Sequence, residues 1–151
     1  MTLAENPDRL IVADAVARGL RDVVVRGTGI AEELAMVLEE AQSGRVVVRF
    51  TLSERYAQGN GVVQGGTQVM LLDAGMAFAC LSRIAPGETV ASVSLTANYM
   101  RPARPGILRV EAVVEQAGRR MCFARATLMD ATAKPLASAS APYAVFPLVR
   151  T

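Results

Sequence analysis

Apolar residues change period three times along this chain. From Pro7 to Leu20 the weak spacing Leu10, Val12, Ala13, Val16, Ala17, Leu20 predicts a helix, and Gly27 and Gly29 break the chain after it. The spacing Ile30, Leu34, Val37, Leu38 predicts a second, amphipathic helix over Ile30 to Ala41, with Glu32, Glu33, Glu39 and Glu40 on its solvated side. Both helices are expected to pack at the domain edge. Gly44 ends this region, and Arg45 to Leu52, with Val46, Val47, Val48 and Phe50, reads as a strand. Ser53 to Gly61 is a polar, glycine-containing loop.

A third helix is predicted from about Gly65 to Ile84, apolar almost all round and stopped before Pro86-Gly87. Everything after it reads as strands: Val90 to Tyr99, Ile107 to Glu115, Arg120 to Met129 and Leu136 to Phe146. Turns are expected at Arg101–Gly106, at Ala117-Gly118 and at Asp130–Pro135. Consecutive strands at such short spacing favour an antiparallel meander. Only the third helix is apolar enough to cover that sheet. The pattern therefore predicts an α+β fold, an antiparallel sheet wrapped around one long central helix with extra N-terminal helices. The chain divides into a helical extension, residues 1–43, and a main domain, residues 44–151.

Composition narrows the function. A chain of 151 residues suffices for one core, and its hydrophobic fraction of 52% with 20% charged residues describes a globular protein. No apolar run approaches the length of a bilayer span. Glu5, Asp8 and Arg9 stand where a signal peptide would be basic and then apolar, so a cytoplasmic location is expected. A net charge of +2 leaves no electrostatic footprint for nucleic acid. Cys80 and Cys122 sit in apolar contexts without metal-like spacing and read as buried free thiols. The histidine count is zero, which removes Ser-His-Asp and Cys-His catalysis and histidine-based zinc hydrolysis. No metal is expected, and a general base in this chain would be a carboxylate or a less common group.

One stretch carries candidate chemistry. Gly65-Gly66 opens the third helix, and Asp73 stands near its middle among Leu71, Leu72, Met76 and Phe78. The glycines either make a tight loop-to-helix turn or leave the helix N-terminus open to close approach. The carboxylate is either a hydrogen-bonded structural group or a reacting one, since apolar surroundings do not accept an ionised side chain without a partner or a task.

The order of motifs adds a resemblance. Gln64-Gly65-Gly66 is followed by Asp73 nine residues after Gln64, then by Asn98-Tyr99-Met100-Arg101-Pro102-Ala103, Gly106 and Gly118-Arg119. In this order and spacing, residues 45 to 147 resemble the hotdog-fold acyl-CoA thioesterases, in the branch of phenylacetic-acid-degradation and 4-hydroxybenzoyl-CoA thioesterases. Many relatives place Asn six residues before the His or Gln of the Gly-Gly motif; this chain has Gln58 there, with Asn60 two residues later.

The resemblance implies hydrolysis of an aryl- or medium-chain acyl-CoA, with no cofactor, because CoA is part of the substrate. It assigns Asp73 as base or nucleophile and the Gly65 N–H as oxyanion donor. Gln58 and Gln64 would orient water or the leaving thiol, and Ser92 would hold the acid or the water. Asn60 and Gly66 fall to substrate binding, and Arg101, Arg104 and Arg119 to the CoA phosphates. Met70, Met76 and Tyr56 are expected around the acyl group. Asp73 lies eight residues from Gly65 along the helix, about 12 Å at 1.5 Å per residue, too far for both to serve one carbonyl. If both act, the acid comes from a second subunit across antiparallel helices. The resemblance implies such a homodimer, often paired into a tetramer, with neither nucleic acid nor membrane as a partner. A hotdog hydratase or dehydratase would need the histidine this chain lacks. A non-catalytic acyl-CoA-binding module is the alternative, and it has no need of Asp73.

Overall fold

Helix α1 (Pro7–Arg18) begins where the Asn6 side chain accepts the Asp8 N–H at 2.9 Å, with Pro7 in the first turn. It ends on Gly19, whose φ of 61° lets the Leu20 N–H reach back to the Ala15 carbonyl. In the computed structural model, which describes residues 4–149, the chain continues through β1 (Val23–Val24), α2 (Gly29–Glu33), β2 (Val37–Gln42) and β3 (Arg45–Leu52). The central helix α3 (Gly65–Leu81) follows, then β4 (Glu88–Ser92), β5 (Thr96–Tyr99), β6 (Gly106–Ala117), β7 (Met121–Asp130) and β8 (Pro135–Pro147). All pairings are antiparallel, in the order β1-β2-β3-β6-β7-β8-β4, with β5 also on β8. This is the α+β arrangement expected of the sequence, a sheet curved around one helix.

The sheet alternates along β3, β6, β7 and β8, so that Val46, Val48, Phe50, Leu108, Val110, Ala124 and Leu128 point inward and are buried. Helix α3, about 25 Å long at 1.5 Å per residue, lies against that face and buries Leu71, Leu72, Met76, Phe78 and Ala79. Gly75 sets how closely it lies. A Cβ there would stand 2.5 Å from Val110 Cγ1, so only glycine permits this approach of helix to strand. The helix ends at Leu81, short of the expected Ile84, because Ser82 turns its hydroxyl to the Ala79 carbonyl at 2.6 Å and accepts the Gly44 N–H at 2.8 Å.

Two expectations are corrected. The helix expected over Ile30 to Ala41 exists only as α2, and Val37–Gln42 is a strand paired with β3. Ala35 takes a left-handed conformation, φ 48°, and the Met36 N–H bonds back to the Ala31 carbonyl, which closes α2 as a glycine would. Without a glycine at that place the sequence carries no stop signal, and the period continues deceptively across it. The Ser43-Gly44 turn therefore joins two neighbouring strands of one sheet. The single strand expected over Val90 to Tyr99 is two strands: Ser92 pairs with Tyr143 and Thr96 with Ser140, so three residues oppose two. The break faces Pro142, which has no N–H to donate, and Val93 instead bonds the Pro142 carbonyl at 2.9 Å.

Candidate active site

The N-terminus of α3 is the first place where residues expected at the site meet a cavity. The first N–H groups of a helix have no acceptor within it, which leaves those of Gly65 and Gly66 pointing out of the helix end. Tyr99 lies across Gly65, donating its hydroxyl to the Gly65 carbonyl at 2.9 Å. A Cβ on Gly65 would meet that hydroxyl at 3.1 Å, whereas one on Gly66 would meet nothing within 4 Å. A side chain at Gly65 would thus press on Tyr99, and Gly66 leaves open space above the helix end. Gln58, Gln68, Tyr99 and Arg101 line a cavity of about 380 Å³ beside Gly65. Gln68 is buried; its amide N–H donates to the Val63 carbonyl at 3.2 Å and its Oε1 has no partner among the described residues.

The second place is Asp73, in the middle of α3. Tyr143, 1% exposed, donates its hydroxyl to Asp73 Oδ1 at 2.6 Å and lies 3.1 Å from the Asp73 carbonyl oxygen. Burial and the neighbouring carboxylate push the Tyr143 phenol far above its ordinary value, so it is a fixed donor. Ser92 is the register partner of Tyr143 across β4 and β8, which puts their side chains on the same face of the sheet, the face turned to α3. Asp73 and Ser92 accordingly line one cavity of about 370 Å³, together with Gly66, Met70 and Val93–Leu95.

A more enclosed cavity of about 210 Å³ has Asp73 and Met70 among its lining residues as well. Its walls are apolar, from Leu34, Met36, Phe50, Ala77 and Phe78, with three polar exceptions, Asp73 itself, Asp8 of α1 and Thr28 before α2. Burial pushes the Asp8 carboxyl up from its ordinary value, and the nearby Thr28 hydroxyl acts in the opposite direction. Asp8 Oδ1 and Thr28 Oγ1 are buried atoms that stand close enough for the Thr28 hydroxyl to interact with the Asp8 carboxyl.

One chain does not gather every residue expected at the site. Asp73, Ser92 and Gly66 share one cavity; Gly65, Gln58 and Arg101 share another. Gln64 is exposed at the start of α3 and makes no side-chain cap. Asn60 accepts the Val62 N–H at 3.4 Å, as a turn residue does. Arg104 reaches over Gly61, 3.9 Å from where a Cβ would stand. Arg119 lies elsewhere, in a groove of about 730 Å³ with Arg83, Arg120 and Phe146. Of the side chains expected around an acyl group, Met70 lines both cavities near Asp73. Met76 is sealed in the core, and Tyr56 hydrogen-bonds Glu33 at 3.0 Å.

Tyr143, Gln68, Asp8 and Thr28 were not legible as site residues. A buried tyrosine needs a partner for its hydroxyl, but nothing local to Tyr143 points to a carboxylate seventy residues earlier. Among the described residues no three His, Cys, Asp or Glu side chains are grouped to hold a metal, and no helix is long and apolar enough to cross a membrane.

Comparison with known proteins identifies the fold and the family. The chain is similar to the 1,4-dihydroxy-2-naphthoyl-CoA hydrolase of Listeria monocytogenes, 23% identical over 108 residues that cover 72% of this chain and 88% of that one. Its fold matches the Escherichia coli PaaI protein of the phenylacetic acid degradation operon with a TM-score of 0.77 at 19% identity, over 98% of this chain and 100% of that one. It also matches a thioesterase family protein from Silicibacter pomeroyi with a TM-score of 0.78 at 21% identity, over 93% and 98% of the two chains. The family model for the thioesterase superfamily matches residues 60–137, the segment that holds the α3 N-terminus, Asp73 and Ser92, and the chain belongs to that superfamily.

Proposed function

We propose that this thioester hydrolase cleaves an aryl- or medium-chain acyl-CoA to the free acid and CoA, with Asp73 as its base. The observation that carries the reading is the Asp73 carboxylate, set in the middle of the core helix, oriented by Tyr143 at 2.6 Å and opening on a cavity it shares with Ser92. Tyr143 engages Oδ1, which leaves Oδ2 to take a proton from water. The water oxygen attacks the thioester carbonyl, and negative charge moves to the carbonyl oxygen. That charge is met by the Gly65 N–H at the positive end of a helix. Collapse of the adduct breaks the carbon–sulfur bond, and the proton held by Asp73 passes to the departing CoA thiolate. Ser92 and Gln58 would orient the water, with Gln64 beside the leaving thiol.

Asp73 and Gly65 open on different cavities of one chain, which supports two subunits completing each site. The β4–β5 edge supports it as well. Val93, Tyr99 and Met100 are 61%, 53% and 49% exposed there, and an apolar sheet edge of this kind invites a second copy of the chain. In a homodimer with α3 antiparallel to its twin, each Gly65 would meet the other subunit's acid, and dimers would pair into a tetramer. Arg101, Arg104 and Arg119 would contact the CoA phosphates, with Asn60 and Gly66 supporting the bound substrate.

The test is release of free thiol from a panel of phenylacetyl-, benzoyl- and medium-chain acyl-CoA esters, followed with a thiol-reactive dye. The wild-type protein should turn over at least one of them, and Asp73→Asn should lose at least 100-fold in kcat/KM. An Asp73→Asn protein that stays fully active refutes the mechanism; full activity in a stable monomer refutes the composite site.

A further inference from the structure

We infer that Gln68 is a positioning residue for the oxyanion donor: it holds the two carbonyls that precede Gly65 and so fixes the direction of the Gly65 N–H. The inference rests on the thioesterase reading above and adds to it a residue that acts through the backbone of the loop entering α3.

The direction of an N–H follows from the plane of its peptide unit, and Gly65 shares that plane with the Gln64 carbonyl. The Gln64 carbonyl accepts the Thr67 N–H at 3.0 Å and the Gln68 N–H at 3.2 Å. One unit earlier, the Val63 carbonyl accepts the side-chain amide of Gln68 at 3.2 Å. On the other side of that same peptide, the Gln64 N–H donates to the Tyr56 carbonyl at 3.2 Å. Gln68 therefore grips two successive peptide planes, one with its backbone and one with its side chain. A helical side chain leans toward the N-terminus of its own helix, which brings position 68 back over residue 63.

An ordinary N-cap side chain would fasten the same loop by accepting the first N–H groups of the helix. Gln64, at the N-cap, makes no such bond. A cap of that kind would occupy the donors that an oxyanion needs. A side chain that binds carbonyls instead steadies the loop and leaves the Gly65 and Gly66 N–H groups facing outward. The amide is also unfavourable for the fold by itself. Gln68 is 5% exposed and its Oε1 has no partner among the described residues, and a buried acceptor left unpaired is destabilising. Methionine has the same length without that penalty, so packing alone gives no reason for an amide here. Gln68 lines the cavity beside Gly65 with Gln58, Tyr99 and Arg101, where the thioester would sit.

The test is Gln68→Met, with Gln68→Leu as a second apolar replacement should the first pack badly. Thiol release from phenylacetyl-CoA and the other esters of the panel gives kcat. Ground-state affinity comes from competitive inhibition by the thioether analogue of the ester hydrolysed fastest, S-(2-phenylethyl)-CoA for phenylacetyl-CoA, which lacks the carbonyl oxygen. Loss of the grip should lower kcat roughly 10- to 100-fold, with the thioether inhibition constant within about twofold of wild type and Tm unchanged or raised. A role in folding alone predicts a lower Tm and an unchanged kcat per folded enzyme. That result overturns the inference, as does failure of both variants to fold. An equal loss in kcat and in thioether binding overturns it too. Each of these leaves the thioesterase reading intact, because the wild type is active. A wild type that releases thiol from no ester in the panel overturns that reading and the inference with it.

Discussion

Replacing Tyr143 by phenylalanine removes one oxygen atom and little else, because the ring is buried and its packing is retained. What is lost is the donor 2.6 Å from Asp73 Oδ1. A hydrogen bond to a charged group contributes about 1.5–3 kcal/mol. If the reaction needs the carboxylate held in this geometry, that energy is felt in the transition state, where about 1.4 kcal/mol is a factor of ten. Tyr143→Phe should therefore lower kcat/KM by roughly 10- to 150-fold, measured as thiol release under subsaturating acyl-CoA. A loss of stability alone could mimic a smaller effect, so the decisive measurement is a double-mutant cycle with Asp73→Asn. In the Asp73→Asn background the phenol has no carboxylate to orient, and Tyr143→Phe should cost the residual rate less than about threefold. An equal loss in both backgrounds would mean that Tyr143 acts without Asp73. An unchanged rate in the single variant would mean that the bond is structural only. Either result refutes the assignment.

Two further outcomes follow from the core. Gly75→Ala places a methyl 2.5 Å from Val110 Cγ1 in a region with no room to yield, and should cost about 1–3 kcal/mol, a Tm fall of roughly 3–10 °C by calorimetry; an unchanged Tm would show that α3 does not lie where it is described. Burial pushes the Cys80 and Cys122 thiols up from their ordinary value, and only the thiolate reacts, so reactivity should grow with rising pH yet stay negligible at pH 8. A thiol reagent should then titrate neither in the native protein and both after denaturation, and rapid native labelling would contradict the burial of either residue.

The sequence made the main sheet and α3 legible because their signals are local: alternation in Ile107 to Glu115, and an all-round apolar run closed by Pro86-Gly87. Ile30–Ala41 misled because its period is genuinely helical and the residue that ends α2 is Ala35 in a conformation a sequence does not advertise. The remainder of that stretch becomes a strand through pairing with β3, a tertiary effect that outweighs local preference. At the candidate site, Gly65 and Asp73 stood out by type and spacing, and Ser92 through the family resemblance. Tyr143, Asp8 and Thr28 did not, since each acquires its surroundings from contacts far along the chain.

The placement of these residues suggests a division of labour with a physical basis. Residues 60–137 contain Gly65, Gly66, Met70, Asp73 and Ser92, all at the end of the cavities where a thioester would react. The thioester group is the same in every acyl-CoA, so the donors and acids that act on it need one geometry, and a helix locked to the sheet by Gly75 supplies it. Acyl groups differ, and the walls that would meet them come largely from outside that segment: Asp8, Thr28, Leu34, Met36 and Phe50. Under the proposed function helix α3 would serve both parts, since its Met70, Ala77 and Phe78 side chains line the enclosed cavity and Asp73 also lines the more open one. A substitution on α1 or ahead of α2 can therefore alter what the cavity accepts without moving Asp73. A change at Gly75 shifts the helix and with it both functions at once.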